Sequence, residues 1–441
     1  MLAYARRFLP GFVLLGFLSV GCLKSAVAIP AFARKYGLPC SACHETWPKL
    51  NVFGQTFKDN GYQLMNDRDS PIWQNPSYWP ITLRITPNWH RESTNRVPID
   101  EAGGAEQRIT AHGFDLSGLD ILTGGTLYNN ISFLLVPSSD NTGAFHFESA
   151  WARFDNLLKS PWLNVKMGKF ELDNIISEKR IETISNNGGF YQLYHFVPVG
   201  DNNAFGAIGD NQLGVEVGGH SLNDRTRYSV SVLSSNDGNV GLPSNSYSTF
   251  VTASQAFDTG KLGVDRVGAY VFAGKAPTFN LNSGGVPVSG GARGNKSFHR
   301  EGVFGLFYVK KLDFSLFYQH GWDNEFFGTS TPADGTPLPP GAQAPTWNGG
   351  FIETHYTVNP QMIFIQRSEW VRMSRQPLAS NPSDLGDIDA YTFGYRWYPF
   401  MFSRAGFAFH NEYSIVRQKR AALSGLNLTN SSLMFGFDFD F

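Results

Sequence analysis

The chain has 441 residues, with 36 basic and 37 acidic side chains and a formal net charge of -1, so nothing points to a nucleic-acid partner. Aromatic residues make up 15% and charged residues only 17%, which excludes a disordered chain, and three cysteines exclude a disulfide scaffold. No mature stretch approaches the roughly 18 consecutive apolar residues that a membrane-spanning helix needs. A glycine-rich, aromatic-rich and faintly hydrophobic composition fits a transmembrane β-barrel. Length alone also fits two soluble domains, so patterning has to decide.

The N-terminus reads as a secretory signal over residues 1–28. Arg6 and Arg7 precede a short apolar run from Phe8 to Val20, and Ala26-Val27-Ala28 is a small-residue cleavage site. A lipoprotein reading through Cys22 is weaker, because Ser19-Val20-Gly21-Cys22 lacks the usual apolar residue three before the cysteine. Cleavage leaves Cys40 and Cys43, in Cys40-Ser41-Ala42-Cys43-His44. In an exported chain, C-x-x-C-H reads as a c-type haem attachment site. Two thiols one helical turn apart match the two vinyl groups of one haem, and the adjoining His44 reaches the iron as proximal ligand. A redox dithiol wants a βαβ setting, and a closed zinc site wants about four ligands; neither context surrounds the motif.

Residues 29–75 are expected to form a small α-helical monohaem cytochrome c module. Pro48 suits an early helical turn, and Leu50, Phe53 and Phe57 recur at helical spacing. Asn60-Gly61 marks a stop. Met65 and His90 are both candidates for the sixth iron ligand. Arg34, Lys35, Lys49 and Lys58 are candidates to pair haem propionates.

Residues 76–441 repeat segments of roughly ten residues that alternate apolar with polar or small ones, the pattern of an all-β, antiparallel transmembrane barrel. Tyr228, Val230 and Val232 alternate with Ser229 and Ser231; Leu312, Phe314, Leu316 and Tyr318 alternate with Asp313, Ser315, Phe317 and Gln319. Leu213, Val215 and Val217 with Gly214 and Glu216, and Tyr391, Phe393, Tyr395 and Trp397 with Thr392, Gly394 and Arg396, read the same way. The first set of each pair is expected to face lipid and the second the lumen. Counting segments gives about sixteen strands, an even number as bacterial barrels require. Long links follow the odd-numbered strands, the first from Arg91 to Gln107. Tight turns follow the even-numbered ones, at Gly124-Gly125, Ser160-Pro161, Asn223-Asp224, Thr259-Gly260, Lys310-Lys311 and Asn359-Pro360. That alternation puts the N-terminus on the periplasmic side. The third long link, from Asp173 to Asp210, is expected to hold a short helix over 175–184; whether it folds inward or lies on the surface stays open.

The end of the chain, with Phe435, Phe437, Phe439 and Phe441 at alternate positions, resembles the assembly signal of bacterial outer-membrane barrels. Pro30-Ala31-Phe32-Ala33-Arg34, Cys40 to His44, Leu50-Asn51, Phe53-Gly54, Phe57-Lys58 and Gly61-Tyr62 resemble the fused monohaem cytochrome c–porin family of outer-membrane electron conduits. The resemblance implies one covalent haem c, held by Cys40, Cys43 and His44. It also implies electron transfer from extracellular ferrous iron to a periplasmic cytochrome or other carrier, an oxidoreductase activity. Relatives with this N-terminal signature use other donors as well. Two other readings stay open: a solute porin with a haem-bearing plug, and a conduit that exports electrons to an extracellular acceptor. Direction depends on reduction potential, which the sequence does not give.

Overall fold

Alternation with period two, sustained along each segment, lets a strand bury one set of side chains and present the other to lipid. The computed structural model describes residues 30–46, 49–64, 81–99, 105–139, 143–174, 191–194, 196, 208–209, 211–234, 247–260, 262–278, 294–324, 344–375, 387–401, 405–419 and 427–441. The signal segment, Met65, the expected helix at 175–184 and the expected boundary at 75/76 lie outside these residues.

A two-stranded ribbon, β1 (His44–Thr46) and β2 (Lys49–Leu50), belongs to the N-terminal module. The barrel follows. Its first half is β3 (Ile81–Pro98), β4 (Glu106–Tyr128), β5 (Ile131–Ser139), β6 (Phe145–Phe154), β7 (Asn164–Phe170), β8 (Gln212–His220), β9 (Thr226–Ser234) and β10 (Tyr247–Asp258). Its second half is β11 (Val264–Thr278), β12 (Gly294–Val309), β13 (Leu312–Asp323), β14 (Thr346–Asn359), β15 (Met362–Arg375), β16 (Ile388–Met401), β17 (Gly406–Lys419) and β18 (Asn427–Asp440). These sixteen antiparallel strands among the described residues close into one barrel, each paired with its sequence neighbour. β18 returns to β3, and the seam is finished by a reciprocal backbone pair: Leu83 N–H to Phe441 O at 2.7 Å and Phe441 N–H to Leu83 O at 2.9 Å.

The two faces separate as the sequence predicts. Val230, Val232, Leu316, Tyr318, Tyr391, Phe393, Phe435 and Phe439 are exposed on the outer wall, whereas Ser229, Ser231, Asp313, Gln319, Thr392, Arg396 and Asp438 are buried inside. Five of the six expected tight turns lie at one end, and the first is misplaced. Gly124 and Gly125 lie inside β4, and the chain reverses at Asn129-Asn130 instead. A Cβ on Gly124 would press on the Phe133 carbonyl at 3.1 Å, and Gly125 takes φ +141°; the pair lets β4 bend and pack closely rather than end. The first long link is also shorter than expected. β3 and β4 keep pairing through the polar run beyond Arg91, and only residues 99–105 join them. A ladder that projects beyond the apolar band needs no apolar side chains, so composition hides it.

Candidate functional site

The module begins with three short helices among the described residues: α1 (Pro30–Tyr36), α2 (Cys40–Cys43) and α3 (Val52–Asp59). The motif occupies a single helical turn, and His44 follows it directly as the first residue of β1. Asn51 ties this turn to α3. Its carboxamide oxygen accepts from Gly54 N–H at 2.9 Å, capping the helix, while its backbone N–H donates to Cys43 O at 2.9 Å. A Cβ on residue 54 would overlap the Cys43 carbonyl, so only glycine permits this approach. Phe32, Tyr36, Phe57 and Tyr62 form the module's aromatic centre; Phe32 stacks on Tyr62 at 4.9 Å and meets Phe57 edge-on at 5.4 Å.

Several expectations for this segment are corrected. The helix starts at Val52 behind its Asn51 cap, so Leu50 precedes it on β2, and Pro48 lies outside the described residues. Phe53 is exposed; the buried face of α3 is Gly54, Gln55, Phe57 and Asp59. Lys49, a candidate partner for a propionate, engages carboxylates of the protein. It is fully buried between Asp313 of β13 and Glu45, the latter at 3.0 Å.

Described residues between Glu45 and Gln63 contact the inner wall near the short turns. Asp59 meets Arg227 at 3.0 Å near the start of β9. Arg153, near the end of β6, donates to the carbonyls of Lys58 and Asp59 at 2.8 and 3.1 Å. Tyr308 donates to Glu45 at 2.9 Å, Gln63 donates to Asn129 O at 3.1 Å, and Tyr62 stacks on Trp151 at 6.3 Å. Burial alone raises the Asp59 carboxyl; the Arg227 guanidinium, with Arg153 and the Gln55 carboxamide, overrides it and holds the group down at about 2. The pair is ionised at neutral pH, and each charge depends on the other because both are out of water.

The third long link folds inward, settling the alternative that the sequence left open for its described part. Tyr191, Leu193, Tyr194 and Phe196 are buried against the inner wall. Tyr194 meets Phe317 edge-on at 4.9 Å, and Phe196 meets Trp347 at 4.8 Å. A buried polar chain joins this loop to the module. Lys49 pairs with Asp313, whose carboxylate lies 2.8 Å from His355 Nδ1; His355 Nε2 lies 2.6 Å from Glu353. Glu353 accepts from Tyr191 at 3.2 Å and from Arg367 at 3.2 Å, and Glu369, 3.5 Å from Arg367, accepts from Leu193 N–H at 2.6 Å.

Between module and wall lies a cavity of about 310 Å³. His44, Leu50, Lys58, Trp151, Phe170 and His220 are among the residues that border it. Its size is at the lower end of small-molecule sites. His44 is buried, and burial pushes the half-buried Cys43 thiol up to about 11. No cluster of three His, Cys, Asp or Glu side chains fit to hold a bare metal ion occurs among the described residues. A haem iron needs no such cluster, because the macrocycle supplies four ligands. The fit to a haem rests on two features: a two-cysteine helical turn and a buried histidine next to it on the cavity. Sequence reading missed His220, which borders the same cavity from the end of β8, a strand that reads as ordinary barrel wall. His90 points inward on β3 but engages Asn88 at 3.0 Å and does not border the cavity.

No family model and no curated protein matches the chain. The anion-selective porin from Comamonas acidovorans is similar at TM-score 0.51 and 10% identity, over 82% of this chain and 99% of that one. The chain has the porin fold. The outer-membrane channel DcaP of Acinetobacter baumannii gives TM-score 0.48 and 11% identity, over 82% and 97% of the two chains. The closed barrel and its apolar outer band place this protein in an outer membrane, in contact with lipid.

Proposed function

We propose that this porin-fold barrel is an electron conduit, with a haem c carried by its lumenal module. The observation that carries this reading is the seating of the Cys40–Cys43 turn and His44 within the barrel mouth, where buried ion pairs hold the module to the wall. A barrel wall insulates across an apolar band of about 25 Å, so a relay inside it has to shorten the gap from both sides. In this role Cys40 and Cys43 tether the group and His44 ligates its iron. Trp151, Phe170 and Leu50 supply apolar walls that exclude water, and Lys58 stands on the cavity as a partner for its acid edge. A bound haem supplies one-electron exchange at a potential set by its ligands and burial. Ferrous iron outside and a periplasmic cytochrome or other carrier inside are the proposed partners.

Taken alone, likeness to solved porins favours a second reading over electron transfer: a solute channel whose N-terminal module is a plug. The inward loop and the module both narrow the lumen, which a plugged solute channel and a conduit share.

The test uses the full chain, purified in detergent from a host able to attach haem. Ferrous iron added without oxygen should produce a reduced c-type spectrum rapidly, and His44→Ala should abolish that reduction with the barrel still assembled. Reduction by dithionite but not by ferrous iron discards this donor. Rapid solute flux into liposomes, whatever the redox state of the haem, establishes the solute channel.

A further inference from the structure

Beyond the conduit reading, and independently of any haem, we propose that a buried chain of charges centred on His355 couples the seat of the module to the seat of the inward loop. The two obstructions of the lumen then form one gate, which opens on loss of a shared proton. Six side chains make the chain, with sign alternating along it: Lys49, Asp313, His355, Glu353, Arg367 and Glu369. Each is at most 3% exposed. Asp313 sits opposite His355, and Glu353 opposite Arg367, in the ladders of β13, β14 and β15, so the wall is the rigid part of the connection. At one end Lys49 belongs to the module, where Glu45 lies 3.0 Å from it and accepts from Tyr308. At the other end the loop is held twice. Tyr191 donates to Glu353 and carries the Arg367 guanidinium 3.8 Å over its ring, and Leu193 N–H donates to Glu369.

The hydrogens at the centre make the chain sensitive to pH. His355 Nδ1 lies 2.8 Å from Asp313, and Nε2 lies 2.6 Å from Glu353. A carboxylate only accepts, so both contacts need a hydrogen. Asp313, His355 and Glu353 together hold one proton more than a neutral imidazole between two carboxylates. With that proton the six charges cancel, which is what burial requires of them. Without it a ring lone pair faces a carboxylate oxygen, and one carboxyl has to withdraw. Asp313 withdraws by loosening Lys49, and Glu353 withdraws by loosening Tyr191. The stabilisation is present while the proton is bound and is lost as pH rises through the titration of the three groups. Coupling of this kind is reciprocal: losing Lys49 from the module disturbs the same groups and, through them, the loop.

The experiment uses the full-length protein in detergent for amide hydrogen exchange, and in planar bilayers for conductance. At neutral pH, Lys49→Met should lower the protection of residues 49–63 and also of residues 191–194, each by at least about fivefold, the low end of ordinary coupling. His355→Gln supplies one donor where two are needed and should loosen both segments as well. In the wild type, open-channel bursts should appear as pH is raised from neutral. Lys49→Arg, which stays charged, should keep that transition, whereas His355→Gln should show bursts already at neutral pH. Loss of protection confined to the module in Lys49→Met overturns the coupling. A wild-type pH transition left unchanged in His355→Gln, or abolished in Lys49→Arg, overturns the shared proton as the trigger. Lys49→Met keeps the three central groups and tests the coupling if His355→Gln fails to assemble.

Discussion

Two bodies enter the lumen, and different forces hold them. At the short-turn mouth the module is seated by charge: Lys49 on Asp313, Asp59 on Arg227, and Arg153 on two carbonyls of α3. At mid-lumen the inward loop is seated mainly by shape, with Tyr194 and Phe196 wedged among Phe317, Phe351 and Trp347, beside the hydrogen bonds of Tyr191 to Glu353 and of Leu193 N–H to Glu369. A charged seat is directional and fails abruptly when one partner is lost, because the other stays buried and unpaired. An aromatic seat is tolerant and fails in proportion to the volume removed. The plug therefore has one position, and the loop has a packed but adjustable one.

The strongest way to break this contrast is at Lys49. Lys49→Met keeps most of the volume and removes the charge, leaving Asp313 beside His355 alone; the seat should weaken by about 3–5 kcal/mol. In planar bilayers this variant should show large open-channel bursts that the wild type lacks. Tyr194→Ala should cost about 3 kcal/mol at the loop, whereas Tyr194→Phe should be nearly silent, since the hydroxyl reaches Asn174 only at 3.5 Å. A graded rise in conductance through that series, set against an all-or-none change at Lys49, measures the difference directly.

Asp59 sharpens the contrast through pH. Its carboxyl is lowered from the usual carboxylate range to about 2, so its contribution is complete above the unfolded value of about 3.9 and is lost as pH falls through about 2. Trp151 fluorescence, reporting its contact with Tyr62, should stay flat from neutral pH down to about 4 and change below it. Asp59→Asn should flatten that window and weaken the seat by about 2 kcal/mol at neutral pH. Within the module, Gly54→Ala should push α3 off the Cys43 carbonyl and cost about 1–3 kcal/mol, seen as faster proteolysis of the N-terminal segment. The smallest effect belongs to the partly exposed Arg96–Glu106 pair at 3.3 Å; Glu106→Ala should shift thermal stability by less than about 1 kcal/mol.

The barrel was legible because its rule is local. Alternation within single strands separated Ser229 from Val230 and Asp313 from Leu316, and turn residues at regular intervals set the strand number. The rule failed at Gly124-Gly125, where glycine marks close packing and a bend instead of a turn; the asparagine pair at Asn129-Asn130 carried the turn. The helix α3 and its stop were legible too, but its buried face was not. An isolated amphipathic helix in a soluble core buries its apolar side, whereas this one buries Gln55 and Asp59 against a polar lumen. Partners such as Lys49 and Asp313 are separated by 264 residues, and no local pattern joins them. His220 was hidden for the same reason: its meaning depends on a cavity that exists only when plug and wall are together.

That separation also sets a schedule. The charged anchors of the plug lie on β6, β9 and β13, and β3, the first barrel strand after the module, is sealed by the last strand of the chain. The full seat is complete only once most of the polypeptide has been made and paired, since contacts so distant in sequence form late. If the protein carries the proposed haem, its attachment to the cysteine turn belongs before closure of the seam, while the seat is incomplete. On that reading, a chain whose seam closes first keeps its cysteine turn unloaded, however stable the finished barrel is.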